Sequence, residues 1–308
     1  MQITRRHLQV SLGALWLLDG VLQCQPIMFS RGFSRQILAP AGVGRPSALV
    51  EPLRVVEALV SAHPALANST FVLIQILLGV GLLTRRFSRA SLAVSIVWSL
   101  SVWMVGEGLG GLATGATLLA GAPGAAVLYA VVAILAWPSR TLRGNERPSW
   151  LVLPAWCALW LVGAGLQLLH GNNSSTSFTM MLRAAQSGAP SWIGQIDRHV
   201  GMLRIPSWTA AGVIAIYVLV AIWALVPGWT RQLSIGIGVF ISLTGWLLFQ
   251  GLGDLTSGRA TDPNSGPLMV LLALAVVGAF SRNIEKQPRE VSAPSEPLRG
   301  GVLVSMSP

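Results

Sequence analysis

Four polar side chains lie inside strongly apolar stretches of this sequence: Asp19, Gln23, Gln75 and Glu107. Even on a lenient insertion scale a charge in hydrocarbon costs about 2.5 to 3.5 kcal/mol, so an acid retained there marks a pocket, a proton relay or an ion pair. At 1.5 Å per residue, Asp19 lies roughly 17 Å and Glu107 roughly 24 Å from the basic ends of their segments. Gln23 and Gln75 fall at a similar depth, so all four would meet in one half of a membrane. Glu51, Arg54 and Glu57 form an i, i+3 stripe on a nearby amphipathic stretch. Two readings follow. Arg54 pairs with Glu51 or Glu107 and pins a surface helix, or Asp19, Glu51, Arg54 and Glu107 form a proton- or redox-linked pocket.

Trp103 and Trp246 stand one helical turn before Glu107 and Gln250. Such indoles can stack on a flat ligand, of which a quinone is the natural membrane example, or simply fill the core. Other chemistries are weaker. Gly106-Glu107-Gly108-Leu109-Gly110 imitates a phosphate-cradling loop, but it ends an apolar helix instead of joining a strand to a helix. The four histidines have no metal-ligand spacing, and Cys24, Met28, Met180, Met181 and Met202 make only a loose soft-ligand set for copper. No catalytic residue and no metal ligand is nominated.

The composition says what must position these groups. The 308 residues are 53% hydrophobic and 10% charged, with mean hydropathy +0.63, a balance for an integral membrane protein and not for a soluble enzyme. The net charge of +10 comes from 20 Arg and one Lys scattered between apolar segments, so these are topology signals and not a nucleic-acid stripe. Eight apolar segments stand out, at 8–28, 69–83, 91–109, 118–137, 150–170, 208–226, 233–250 and 266–280, and all read as helices, most of them long enough to span a bilayer. The second and eighth are short, as half-spans lining a site would be. Thr4-Arg5-Arg6-His7-Leu8 resembles an export signal, but no small-residue cleavage site follows it.

The chain also repeats itself at an offset of 143 to 144 residues. Ala14-Leu15-Trp16-Leu17 recurs as Ala158-Leu159-Trp160-Leu161, and Glu107-Gly108-Leu109-Gly110-Gly111-Leu112 faces Gln250-Gly251-Leu252-Gly253-Asp254-Leu255. Arg54 aligns with Arg198, whereas Asp19, Glu51 and Glu107 align with Gly163, Gln195 and Gln250. The first unit therefore keeps the titratable set. The expected architecture is an all-α membrane protein of eight transmembrane helices, built as two tandem four-helix repeats at 1–145 and 146–281, with a disordered cytoplasmic tail at 282–308. Cys24 and Cys157 would differ in depth by roughly 16 Å, too far for a bridge.

Orientation follows from the basic residues: 13 fall on the side of the termini and eight on the other, over longer loops. Both termini are then cytoplasmic, in a cell inner membrane. Two long outer loops each contain a helix candidate, at 49–62 and 191–205, expected to lie at the interface.

Leu18-Asp19-Gly20-Val21-Leu22-Gln23 and Leu77-Leu78-Gly79-Val80-Gly81-Leu82-Leu83-Thr84-Arg85-Arg86 carry a family resemblance. On these segments the first 140 or so residues resemble the DoxX-like group of four-helix membrane proteins, and the second half does so less closely because Leu225-Val226-Pro227-Gly228-Trp229 replaces the basic pair. The resemblance implies a membrane subunit tied to sulfur, thiol or quinone redox chemistry, beside a soluble or membrane redox partner that supplies the catalysis. The expected function is thus a subunit of a redox or quinone-linked process with an outward-facing polar pocket and no catalytic centre of its own. The alternatives are a secondary transporter for a small solute or metal ion, and a structural assembly subunit. Membrane lipid is the expected partner, and nucleic acid is not.

Overall fold

The computed structural model describes residues 3–45, 47–138, 148–169, 171–202 and 205–280. The tail at 282–308, and Arg140, Arg143 and Arg147 of the orientation argument, lie outside the described residues. Those described form helices and loops, with no strand among them. Eleven helices carry the fold: α1 (Arg5–Leu22), α2 (Ser47–Ala62), α3 (Pro64–Leu83), α4 (Ser88–Val105), α5 (Ala125–Leu135), α6 (Val152–Leu168), α7 (Ser175–Gln186), α8 (Ser191–Met202), α9 (Thr209–Leu225), α10 (Trp229–Thr244) and α11 (Ser265–Phe280).

Among the described residues, three helices are long and apolar enough to cross a membrane: α3 with 20 residues, α4 with 18, and α10 extended through a π turn to Phe249 with 21. The helices α5, α6, α9 and α11 are apolar but shorter. The outward face of α3 carries Leu66, Leu73, Leu77 and Val80, all exposed, while Asn68, Gln75, Gly79 and Gly81 are buried. A helix that turns leucine outward and amides inward is patterned for lipid, where polar groups must find partners inside the bundle.

Two length expectations change. The segment expected at 69–83 is the full α3, because Pro64 opens the helix and Asn68 is accommodated by donating to the Gln23 carbonyl at 2.8 Å. The segment expected at 118–137 yields only the 11 helical residues of α5, roughly 17 Å long, since Gly121, Pro123 and Gly124 break the chain before Ala125. The helix expected at 191–205 is found as α8 over Ser191–Met202, and α7 adds a helix that the sequence reading passed over.

The helices pack as two rings of four. In the first, α1 touches α3, α3 touches α4, α4 touches α5 and α5 returns to α1; in the second, α6, α9, α10 and α11 do the same. Glycine sets the closest crossing: a Cβ on Gly79 would lie 2.9 Å from the Gly13 carbonyl oxygen and 2.5 Å from Leu17 Cγ. Arginines close helix ends. Arg6 donates to the Leu82 carbonyl at 2.8 Å and to that of Leu83, and Arg231 donates to Ala224 at 2.7 Å. Each satisfies carbonyls that its neighbour's last turn leaves free. A single large core joins the rings, including Leu8, Trp16, Tyr129, Trp156, Trp160 and Tyr217.

The rings also exchange loops. The segment after α4 reaches the second ring: Asn172 donates to Gly115 O at 2.5 Å, Gln250 donates to Leu119 O at 3.1 Å, and Leu118 fills the space beside Gly163. In return, the segment before α11 reaches the first ring, where Gln25 donates to Ala260 O at 3.4 Å and Thr261 and Asp262 arrive near Asp19.

Candidate functional site

A cavity of about 270 Å³ opens in the first ring, and the four polar residues Asp19, Gln23, Gln75 and Glu107 all line it. The last turn of α1 brings Asp19 and Gln23, the middle of α3 brings Gln75, and Glu107 comes from the turn after α4. Asp19 is 2% exposed, and its Oδ1 has no hydrogen-bond partner. Gln23 Oε1, Gln75 Oε1 and Glu107 Oε2 are likewise buried and unpartnered. Buried acceptors left open in this way are uncommon, because each carries a desolvation cost of about 1 to 3 kcal/mol.

Glu107 is held by its other oxygen. Its Oε1 accepts the Ala126 N–H at 2.9 Å, at the start of α5, where a carboxylate suits the free N–H groups. The chain reaches that position through a left-handed turn with positive φ at Gly108, Leu109, Gly110 and Gly111. At Gly110 a Cβ would lie 1.7 Å from the Pro123 oxygen, the same oxygen that accepts Trp103 Nε1 at 2.7 Å. So the turn that imitates a phosphate loop is a packing device for the start of α5.

The second ring shows a matching arrangement with different chemistry. Trp246 Nε1 donates to Pro263 O at 2.7 Å, and Gly251, Leu252, Gly253 and Asp254 all have positive φ. Gln250 is more completely bonded than Glu107: Oε1 accepts from Ser265 Oγ at 3.3 Å and Gly266 N at 3.4 Å, while Nε2 donates to Leu119. Trp103, Trp246 and Gln250 do not line the cavity, and each is committed to a hydrogen bond elsewhere.

Glu51 and Arg54 are also elsewhere. They pair with each other at 3.5 Å, with both side chains 70% exposed, on the outside of α2. The pairing of Arg54 with Glu107 is not found. The arginine near Glu107 is Arg45, whose Nη2 donates to the Glu107 backbone oxygen at 2.9 Å and not to its carboxylate.

The sequence reading missed several wall residues. Trp16, Phe33, Phe71, Trp98 and Tyr129 supply aromatic faces, and Thr261 and Asp262 cross from the second ring. Asp262 accepts from Thr261 Oγ1 at 2.9 Å and Asn264 N at 2.7 Å, and burial pushes its carboxyl above the ordinary carboxylate range. Tyr129 lies against Trp16, with ring centroids 4.5 Å apart, and close to Asp19 without closing a regular hydrogen bond to it. Trp16 stands three residues before Asp19, about one helical turn, and that spacing offered a signal for it. Nothing in the local sequence marks Asp262, because its role depends on the loop exchange.

Among the described residues lining the cavity none is basic, and no group of three or more His, Cys, Asp or Glu among the described residues is placed to hold a metal ion. Both thiols are free. The arrangement suits binding: apolar and aromatic walls, with a few convergent polar groups. No protein-family model, curated protein or solved structure matches the chain.

Proposed function

We propose that the chain is an eight-helix membrane protein made of two parallel four-helix units, of the DoxX-like kind, whose outer pocket in the first unit binds a small organic molecule. Both termini are cytoplasmic, in the inner membrane, and the protein has no catalytic centre of its own. The duplication is supported by the paired Trp103–Pro123 and Trp246–Pro263 bonds and by the two left-handed turns. The single observation that carries the binding role is the cavity, lined by aromatic rings and by unpartnered oxygens of Asp19, Gln23, Gln75, Glu107 and Tyr129.

In the first reading the ligand is a quinone and the process is redox-linked, served beside a partner that performs the electron transfer. Glutamine, tyrosine and an un-ionised carboxyl both donate and accept, so Gln23, Gln75, Tyr129 and Asp19 suit the carbonyls of a quinone and the hydroxyls of a quinol. Mass spectrometry of the organic extract of protein purified from its own membranes tests this reading. One quinone per chain, lost in Val56→Trp, which fills the cavity from α2, is the expected result; a quinone content no higher than that of the surrounding lipid removes it.

A second reading, binding or transport of a small solute, is favoured by a different observation. Asp19, Glu107 and Asp262 share the cavity, and no basic side chain among the described residues lines it.

A further inference from the structure

The acids and the aromatic faces of the cavity have a joint consequence. Asp19, almost wholly buried, leaves Oδ1 open; Gln23 and Gln75 each leave Oε1 open at 5% and 6% exposure. All of these residues line the same space. Two aromatic groups line the same space. Phe33, Phe71 and Trp98 form a connected wall, with ring centroids 6.1 Å and 5.5 Å apart, and Trp16 packs on Tyr129. The two cation–π contacts found among the described residues are Arg86 on Phe87 and Arg231 on Phe280, so these pocket rings engage no protein cation there.

A buried acid needs either a proton or a counter-charge. Among the described residues the wall supplies no counter-charge, yet it provides acceptor oxygens for N–H groups and ring faces for a positive charge. We propose that the pocket takes an organic cation, a primary or secondary ammonium on a small apolar body, with Asp19 as the counter-charge and Asp262 lent by the second unit. This deepens the solute-binding reading of the same cavity and rests on it. An inorganic ion would leave the aromatic walls unused, and a cavity of about 270 Å³ suits a body of about ten heavy atoms. The corresponding place in the second unit serves as an internal contrast. There Gly163 replaces Asp19, Leu118 fills the space beside it, and Gln250 has its bonds made.

The test is calorimetric titration of the full chain in zwitterionic nanodiscs at pH 7, with empty nanodiscs as the blank. Three probes are compared: phenethylammonium chloride, its neutral analogue 2-phenylethanol, and decylubiquinone. The expected result is that phenethylammonium binds at least about tenfold more tightly than the alcohol, the scale of a desolvated cation–π contact. Asp19→Asn should abolish that ratio, and Asp262→Asn, on a loop and not in a helix, should reduce it. Equal binding of amine and alcohol overturns the cation assignment. So does binding of decylubiquinone alone, which leaves the cavity reading standing in its quinone form. Binding of none of the three overturns both the cation assignment and the ligand-binding reading.

Discussion

Glu107 Oε1 accepts the Ala126 N–H at 2.9 Å, and Gln250 Oε1 accepts the Gly266 N–H at 3.4 Å, so a carboxylate and an amide perform the same task at the starts of α5 and α11. An acceptor is all the task requires. Glu107→Gln should therefore cost less than about 1 kcal/mol of stability, and Glu107→Ala about 1 to 2 kcal/mol, the usual value of a lost cap. Gln250→Ala should be at least as costly, since it also frees Leu119 O and Ser265 Oγ. Thermal melts of the three variants check this; a large loss in Glu107→Gln alone would show that the charge itself holds the fold.

The two arginines near the first unit's outer surface should behave differently. Arg54→Ala removes only an exposed ion pair and should change stability by no more than about 0.5 kcal/mol. Arg45→Ala removes one of two donors to the Glu107 carbonyl, which keeps the Gly110 N–H at 3.1 Å, and should cost about 1 kcal/mol. Parallel denaturation of both variants gives the comparison, and equal tolerance would put Arg45 outside the support of the site.

Gly79 makes the tightest demand on α1 and α3. Gly79→Leu pushes against the backbone oxygen of Gly13 and should destabilise by about 1 to 3 kcal/mol or splay the two helices. Gly165→Leu is the control, because a Cβ at Gly165 meets nothing within 4 Å. Detergent-resistance melts should separate the two variants.

Acidity should act through Asp197 on α8. Its residue is wholly buried, neither carboxylate oxygen has a partner, and burial pushes the carboxyl up to about 6. An acid raised on folding imposes no penalty below its unfolded value of about 3.9, and the penalty grows as pH rises through 6. Stability should thus fall between pH 4 and pH 6.5 and level off above. Asp197→Asn should flatten that slope and add on the order of 1 kcal/mol at pH 7. A wild-type profile flat over this range would contradict the assignment.

Topology is checked with fusions. A reporter joined after Arg143 should be active only in the cytoplasm, and one joined near Asn173 only outside. Reversal at either position would overturn the orientation.

The helices were legible because lipid-facing leucines and spaced arginines write themselves into local composition. So were Asp19, Gln23, Gln75 and Glu107, since depth is counted along a helix and equal depth brings side chains together. Glu51 and Arg54 misled because the i, i+3 spacing fixes their mutual contact and says nothing of which way α2 faces. The 118–137 segment misled through its hydropathy: Leu118 and Leu119 are apolar because they plug the second ring, not because they continue a helix. Asp262 was invisible because it acts 243 residues from Asp19, across an exchange that no local pattern encodes.

That exchange bears on separability. Each ring's loop finishes its neighbour's interior, since Leu118 and Leu119 fill space in the second ring and Asp262 lines the chamber of the first. A fragment cut between the rings would therefore leave both interiors short: residues 1–145 alone lack Asp262, and residues 146–308 alone lack the leucine plug.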